Sequence, residues 1–466
     1  MRGSTPRDPK WFVLIAVGAG TFMSALDASA VNTILPLISR SFDAPVSTVQ
    51  WLVTVYLLVV SGLLLSFGRL GDMRGHKSIY IAGFAIFVLS SALCGLAPSA
   101  VAVISFRALQ GFGAAMLFAN SPAILVKNFP ATQRGQVLGL QASMTYLGLT
   151  VGPALGGWLA GAFGWRAVFY VNVPIGLLAL GLCVRFIPRD SGRADSGQFD
   201  LAGAMTWTLA LVGLIFALNR GHEWGWKSSP VAATLVVSGL LLVAFIHIER
   251  RVREPMLDLS LFLRPAFSTS AASAVLNFIC AYTVAFLLPF YLIQGRGFSA
   301  AMTGMLLTAH SLVRVAAAPL SGSFSDRVGT RVPSMLGMAV LSIGLFLLSE
   351  LGAQSGLGYL LFALAIAGLG TGIFVSPNNS ALMGSAPLNR QGIAAGVLAT
   401  SRNVGMALGV GLAGAVFSTV ISRAEGANRP DAVIAAAAAG FLVAAGVAVL
   451  GVLTIAMGYL FGREPK

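Results

Sequence analysis

One carboxylate stands in the middle of an apolar run. The stretch Ser24-Ala-Leu-Asp27-Ala-Ser-Ala-Val-Asn32-Thr-Ile-Leu-Pro36 places Asp27 well inside the first long hydrophobic segment. An ionised acid at such a position costs about 2.5 kcal/mol or more. The chemistry open to it is proton transfer: it takes up a proton while buried and gives it up when water enters. Arg107, in the fourth apolar run, is the matching cation. A rise of about 1.5 Å per residue puts the two within roughly 6 Å in depth. Arg107 can then hold Asp27 ionised in one state and leave it to protonate in another. The competing reading is a static buried pair that only orients two helices. Other polar and aromatic side chains inside apolar runs are candidates to line a substrate cavity: Asn32, Tyr56, Gln110, Gln141, Met144, Tyr146, Asn277, Tyr282, His310, Arg314, Asn378, Arg402 and Asn403. Aromatics and Met suit bulky, amphipathic molecules, although each of these residues alone also fits plain helix packing.

Holding such groups requires membrane spans. Over half of the 466 residues are hydrophobic (56%), only 10% are charged, and the mean hydropathy is +0.84. A soluble chain of this length cannot cover its surface with so few charges, so an all-α integral membrane protein is expected. Fourteen segments reach the roughly 20 apolar residues of a helical span. The first is 11–38 and the last 432–461. With the N-terminus inside, 20 of the 30 Lys and Arg fall in inner segments and 7 in outer ones, with Arg107, Arg314 and Arg402 inside spans. This asymmetry follows the positive-inside rule and accounts for the net charge of +14 without nucleic acid. Both termini are expected in the cytoplasm and the chain in a plasma membrane, that of a bacterial inner membrane. Arg2, Arg7, Lys10 and Ala28-Ser29-Ala30 also suit a cleavable leader, but the apolar run continues to Ile38, which favours a retained span.

The chain repeats itself. Gly111-Phe-Gly113 and Ser121-Pro122 are echoed by Gly368-Leu-Gly370 and Ser376-Pro377, an offset of 257. Gly68-Arg-Leu-Gly-Asp72-Met-Arg-Gly75-His-Lys77 recurs as Gly322-Ser-Phe-Ser-Asp326-Arg-Val-Gly329-Thr-Arg331, an offset of 254. The expected organisation is a cytoplasmic N-terminus (1–10), a six-helix bundle (11–187), linkers with two inserted spans (188–266), a second six-helix bundle (267–461) and a cytoplasmic tail (462–466). Parallel repeats of this kind place a transport pathway between the halves near the bilayer midplane.

These motifs resemble the major facilitator superfamily, in particular its fourteen-span drug:proton antiporter branch, over nearly the whole chain. The 68–77 segment is similar to the superfamily's Gly-x-Leu-Ala-Asp-Arg-x-Gly-Arg-Lys, retaining Gly68, Leu70, Asp72, Gly75 and Lys77 and departing at Gly71, Met73 and His76. Gly148-Leu-Thr-Val-Gly152-Pro153-Ala-Leu-Gly156-Gly157 matches the antiporter signature. Leu26-Asp27 with Val31, Asn32 and Pro36, and Trp165-Arg166-Ala-Val-Phe-Tyr-Val-Asn172-Val-Pro174, resemble further motifs of the branch. The resemblance implies that Gly148, Gly152, Pro153, Gly156 and Gly157 form a hinge; spacing alone gives Gly148, Gly152 and Gly156 one close-packing face with a bend at Pro153, which ordinary small-residue packing would equally use. The cytoplasmic loop 68–77 reads as a gate, where Asp72 faces cations such as Arg134 or the positive end of a helix, with Asp326 and Arg331 as the repeat's counterparts; the competing reading is charge that only sets topology.

The implied activity is proton-coupled efflux of hydrophobic or amphipathic drugs by alternating access, a multidrug and antibiotic-resistance function. A monomer is expected, driven by the proton gradient and without a cofactor. Relatives that export multiply charged cations often carry acids in the second half. Here only His310, Arg314 and Arg402 occur, so neutral, zwitterionic or singly charged substrates are expected. The alternatives are a dedicated exporter of one metabolite or lipid, and a non-transporting receptor or scaffold. An enzyme is not expected, since no nucleophile–base set appears. Cys94, Cys183 and Cys280 read as packing residues rather than metal ligands or disulfides. The 71–78 stretch has the wrong spacing for a phosphate loop.

Overall fold

The computed structural model describes residues 9–130, 133–188, 200–225, 228–252, 259–387, 391–424 and 428–461. Within them the chain is helical and contains no strand. In order the helices are α1 (Pro9–Ser41), α2 (Val46–Val49), α3 (Trp51–Arg74), α4 (His76–Leu96), α5 (Ala100–Asn128), α6 (Arg134–Phe163), α7 (Ala167–Tyr170), α8 (Asn172–Phe186), α9 (Leu201–Trp224) and α10 (Ser229–Glu249). They continue as α11 (Pro265–Pro289), α12 (Ala300–Val328), α13 (Arg331–Ser349), α14 (Leu357–Gly384), α15 (Gln391–Arg423) and α16 (Arg429–Phe461). A 3₁₀ turn (Leu259–Leu263) precedes α11, and a π-helical turn (Phe290–Gly295) follows it.

Among the described residues, twelve helices are long and apolar enough to cross a membrane. Helices α6 and α9 fall outside that set. The first is diluted by glycine, threonine and Pro153; in the second, Leu201–Ala217 is apolar and the side chains that follow at 218 and 219 lie outside those described. The outward faces carry large aliphatics, with Leu178 and Leu320 73% and 74% exposed. A water-facing surface does not carry such a belt; a lipid-facing one does. The chain is a multi-pass membrane protein.

Helices α1 and α3–α8 pack mainly on one another, and α11–α16 form a second group. Corresponding crossings use corresponding glycines. A Cβ on Gly113 would come 2.7 Å from the Gly83 carbonyl, and one on Gly370 would come 2.8 Å from the Gly337 carbonyl. The two groups meet where α6 packs on α12, α3 on α15 and α1 on α11, while the α9–α10 pair lies against α3 and α15. Thr208 of α9 ties this pair to α3 by donating to the Gly62 carbonyl at 2.9 Å.

The segment expected as a loop at 68–77 is mostly helix. Nothing before Gly75 breaks the helix, so α3 runs to Arg74 and α4 starts at His76. Gly75 alone makes the turn, with φ 93°, a conformation that disfavours any side chain. Gly329 does the same between α12 and α13, with φ 82°. Residues 1–8, 189–199, 253–258 and 462–466, parts of the expected termini and linkers, lie outside the described residues, as do the side chains of Arg134 and Asp326.

Candidate functional site

Five helices converge on Asp27. It is fully buried, as is Arg107 (both 0% exposed). Arg107 Nη1 donates to Asp27 Oδ2 at 2.5 Å and to Gln110 Oε1 at 2.7 Å, and its Nε donates to the Leu52 carbonyl at 3.0 Å. The guanidinium sits 4.1 Å from the centroid of the Tyr56 ring, a cation–π contact from α3. Gln110, three residues on from Arg107 and on the same helix face, donates from Nε2 to Asp27 Oδ1 at 3.3 Å. Asn172 of α8 donates to the same oxygen at 2.8 Å and to Ser91 Oγ of α4 at 3.1 Å. Ser91 in turn donates to the Phe169 carbonyl at 2.9 Å. Every hydrogen bond at Asp27 is donated to it, which suits a carboxylate rather than a carboxylic acid.

Asn172 and Ser91 were not singled out as site residues in the sequence. The available signal was the intramembrane amide of Asn172, inside a motif already recognised there. Ser91 carried none, because a serine in a span usually bonds its own helix.

A cavity of ≈ 570 Å³ lies between the two helix groups at mid-height, lined from α1, α6, α11, α12, α14 and α15. Its size is in the range of small-molecule sites. Asn32, Tyr146, Tyr282, His310 and Arg314 line it, whereas Asp27 does not. The helical step turns Asp27 away from Ser29 and Asn32, which face the space. The cavity reaches Pro319 and Ser380, toward the end that holds Gly75 and Gly329. At the other end the groups are joined. Arg40 Nη2 donates to the Ile293 carbonyl at 3.3 Å, and beside the cavity Thr308 Oγ1 donates to the Thr150 carbonyl at 3.2 Å.

The other expected cavity residues stand elsewhere. Tyr56 and Gln110 belong to the Asp27 network. Met144 packs its sulfur on Gly18 of α1, and Gln141 is buried at 8% exposure. Asn277 Nδ2 meets Met338 Sδ at 3.4 Å. Asn378 accepts from Ser273 Oγ at 2.9 Å, donates to the Ser270 carbonyl at 3.0 Å, and lines a second cavity of ≈ 590 Å³ with Arg264 and Arg331. Asn403 is buried on α15, and Arg402 lies in the electrostatic neighbourhood of Tyr282 and Tyr56 without lining the cavity. Polar groups in a span lower their cost by bonding a neighbouring helix, so polarity alone does not mark a cavity.

The glycine face of α6 lies on α1. A Cβ on Gly148 would stand 2.5 Å from the Phe22 carbonyl, one on Gly152 would overlap Ser29 Oγ, and one on Gly156 would meet Ala30 Cβ at 2.8 Å. Gly157 faces the other way and is pressed against the Ala300 carbonyl of α12, while the Pro153 carbonyl abuts Gly304. At the α3–α4 turn, Asp72 Oδ1 lies 3.2 Å from His76 Nε2. His76 Nδ1 lies 2.8 Å from Asn120 Oδ1, whose amide nitrogen donates to the Phe67 and Met116 carbonyls. Those two bonds identify Oδ1 as the acceptor, so Nδ1 carries the proton. Lys77 donates to the Val184 and Ile187 carbonyls at the C-terminal end of α8, where a cation is favoured. No atom stands within 4 Å of a Cβ built on Gly68.

Repeated apolar helices around a central amphipathic cavity, with a buried charge pair beside it, define a polytopic membrane transporter. Residues 17–410 and 270–466 match the model of the Major Facilitator Superfamily, and the chain belongs to that superfamily, whose members are transporters and not enzymes. It is 34% identical over 445 residues to the riboflavin transporter RibZ of Clostridioides difficile, covering 95% of this chain and 96% of the relative. It is 33% identical over 410 residues to the multidrug resistance protein Stp of Mycobacterium tuberculosis, covering 88% and 76%. The fold is shared with the crystal structure of a bacterial homolog of the human lysosomal transporter Spinster, at a TM-score of 0.68 and 17% identity over 100% of both chains.

Proposed function

We propose that the protein is a proton-coupled antiporter that exports hydrophobic or amphipathic drugs and similar organic molecules by alternating access. The observation that carries this reading is the sealed Asp27–Arg107 pair, separated by the thickness of α1 from an aromatic-lined cavity. Arg107, Gln110 and Asn172 hold Asp27 as a carboxylate while the cavity faces the cytoplasm. When α5 shifts against α1, the pair separates and a proton replaces Arg107 as the partner of Asp27. The glycine face of α6 lets α1 tilt against it, with Pro153 as the bend. Asp72, Lys77, Arg134, Asp326 and Arg331, at or near the two glycine turns, form the proposed gate. Its contacts between the two helix groups form when the cytoplasmic side closes and are released when it opens.

In this reading α6 and α9 also span, giving fourteen helices, with α9–α10 as the pair inserted at 188–266 between bundles 11–187 and 267–461. Both termini are cytoplasmic, the membrane is a bacterial inner membrane, and a monomer suffices. The relative named for multidrug resistance supports the drug substrate. The relative named for riboflavin supports a second reading, a carrier dedicated to one compound. Efflux of several unrelated dyes supports the first, and of one compound only the second. The deciding experiment is a substrate screen in proteoliposomes with an imposed pH gradient, wild type beside Asp27→Asn. Gradient-driven flux should be present in the first and absent in the second; equal flux in both refutes the coupling role.

A further inference from the structure

The charge inventory of the cavity is one-sided. Among its lining residues Arg314 is the one permanently charged side chain, and no carboxylate is present. The Nε of Arg314 is buried and has no hydrogen-bond partner, and no carboxylate of the described residues lies within ion-pair distance of its guanidinium. Its polar neighbours are the phenols of Tyr146 and Tyr282, which bring no counter-charge. The Nε of Arg402, beside Tyr282, is likewise buried and unpartnered, and so is Nδ2 of the buried Asn403 next to it. Arg107 shows what a charge-compensated intramembrane arginine looks like in this chain: an aspartate, a glutamine, a carbonyl and an aromatic face, with only Nη2 left without a partner. Arg314 has none of these. A guanidinium does not shed its proton, so an uncompensated one between helices must find its counter-charge in what enters the cavity. The remaining wall is apolar and aromatic, with Phe278, Leu307 and Met406 facing the space.

We infer that the cavity selects organic anions, amphipathic molecules whose aromatic or apolar body lies against Tyr146, Phe278 and Tyr282 and whose carboxylate, sulfonate or phosphate is bound by Arg314. This deepens the proposed function and rests on the cavity being the transport site. His310, one helical turn before Arg314 on the same face of α12, supplies a further polar contact to the acidic group.

The test uses matched trios of probes, a naphthalene or xanthene body bearing a carboxylate, a carboxamide or a methylammonium group. They are titrated into the purified full-length protein in lipid nanodiscs. The carboxylate member should bind at least about tenfold tighter than its partners. Arg314→Gln should weaken it by about 10- to 100-fold, the worth of a charge-assisted hydrogen bond, and Arg314→Lys should restore most of that. Should Arg314→Gln fail to fold, the wild-type comparison still decides. No binding of any carboxylate member, equal or tighter binding of the cations, or undiminished binding in a folded Arg314→Gln overturns the inference. Binding needs no pH gradient, so anion binding without pH-driven efflux refutes the coupling mechanism alone. Efflux confined to cations refutes anion selection alone.

Discussion

Removing one partner of the Asp27–Arg107 pair should cost far more than removing the second afterwards. In Asp27→Asn one oxygen still accepts from Arg107 Nη1, but the new amide nitrogen faces the Gln110 and Asn172 donors now at 3.3 and 2.8 Å. Two acceptor bonds are lost at about 1–3 kcal/mol each where no partner replaces them. The Arg107 charge is also left buried without a counter-ion, and breaking a buried pair costs about 3–5 kcal/mol. A flip of the Asn172 amide, whose Oδ1 has no partner, restores one bond. The lower end, about 3 kcal/mol, is therefore expected. Arg107→Gln strands Asp27 in the same way and loses the Tyr56 contact and the Leu52 bond. The double variant has no stranded charge and should cost about as much as either single change. The coupling is then about 3 kcal/mol, roughly 100-fold in the unfolding equilibrium. Denaturant unfolding of the four purified proteins in one detergent measures it. Additivity within about 0.5 kcal/mol would show that the two groups do not depend on each other and refute the reasoning.

Gly152→Val should depress transport by at least about tenfold and destabilise by about 1–3 kcal/mol, because its side chain meets Ser29 and the Leu26 carbonyl at the α1–α6 contact; flux and thermal midpoint together check this. Gly75→Ala and Gly329→Ala should each cost about 1–2 kcal/mol from the positive φ alone, read as lowered thermal midpoints. His76→Phe keeps the ring volume but deprives Asn120 Oδ1 of its donor, a loss of about 1–3 kcal/mol. Asp72→Asn should cost less than His76→Phe, since water already reaches its side chain, which is 53% exposed; unfolding of both variants in parallel ranks them.

The intramembrane charges were the most legible part of the site. An acid and a base inside apolar runs must meet or pay desolvation, and Asp27 and Arg107 stood at similar depth. The glycines of α6 were legible for the same kind of reason, because a four-residue spacing of small residues defines one face whatever the neighbour. Asn172 and Ser91 were not, since which amide and which hydroxyl reach Asp27 depends on the rotation of α8 and α4. The cavity was legible only in part. Asn277 and Asn378 are as polar as Asn32, yet each donates to another helix of its own group instead of lining the central cavity, and sequence cannot tell which way an amide turns. The segment at 68–77 read as a loop because its charges mark a membrane edge, but charge does not break a helix and only Gly75 does.

The most direct test of coupling measures proton movement itself. Vesicles containing the purified protein and a trapped pH dye are given a gradient of a transported substrate and no pH gradient. In wild type, substrate flowing downhill should drive protons the opposite way and shift the internal pH. In a folded Asp27→Asn variant the substrate should exchange with no such shift. Proton movement in that variant at the wild-type rate would contradict the assignment of Asp27 as the proton carrier.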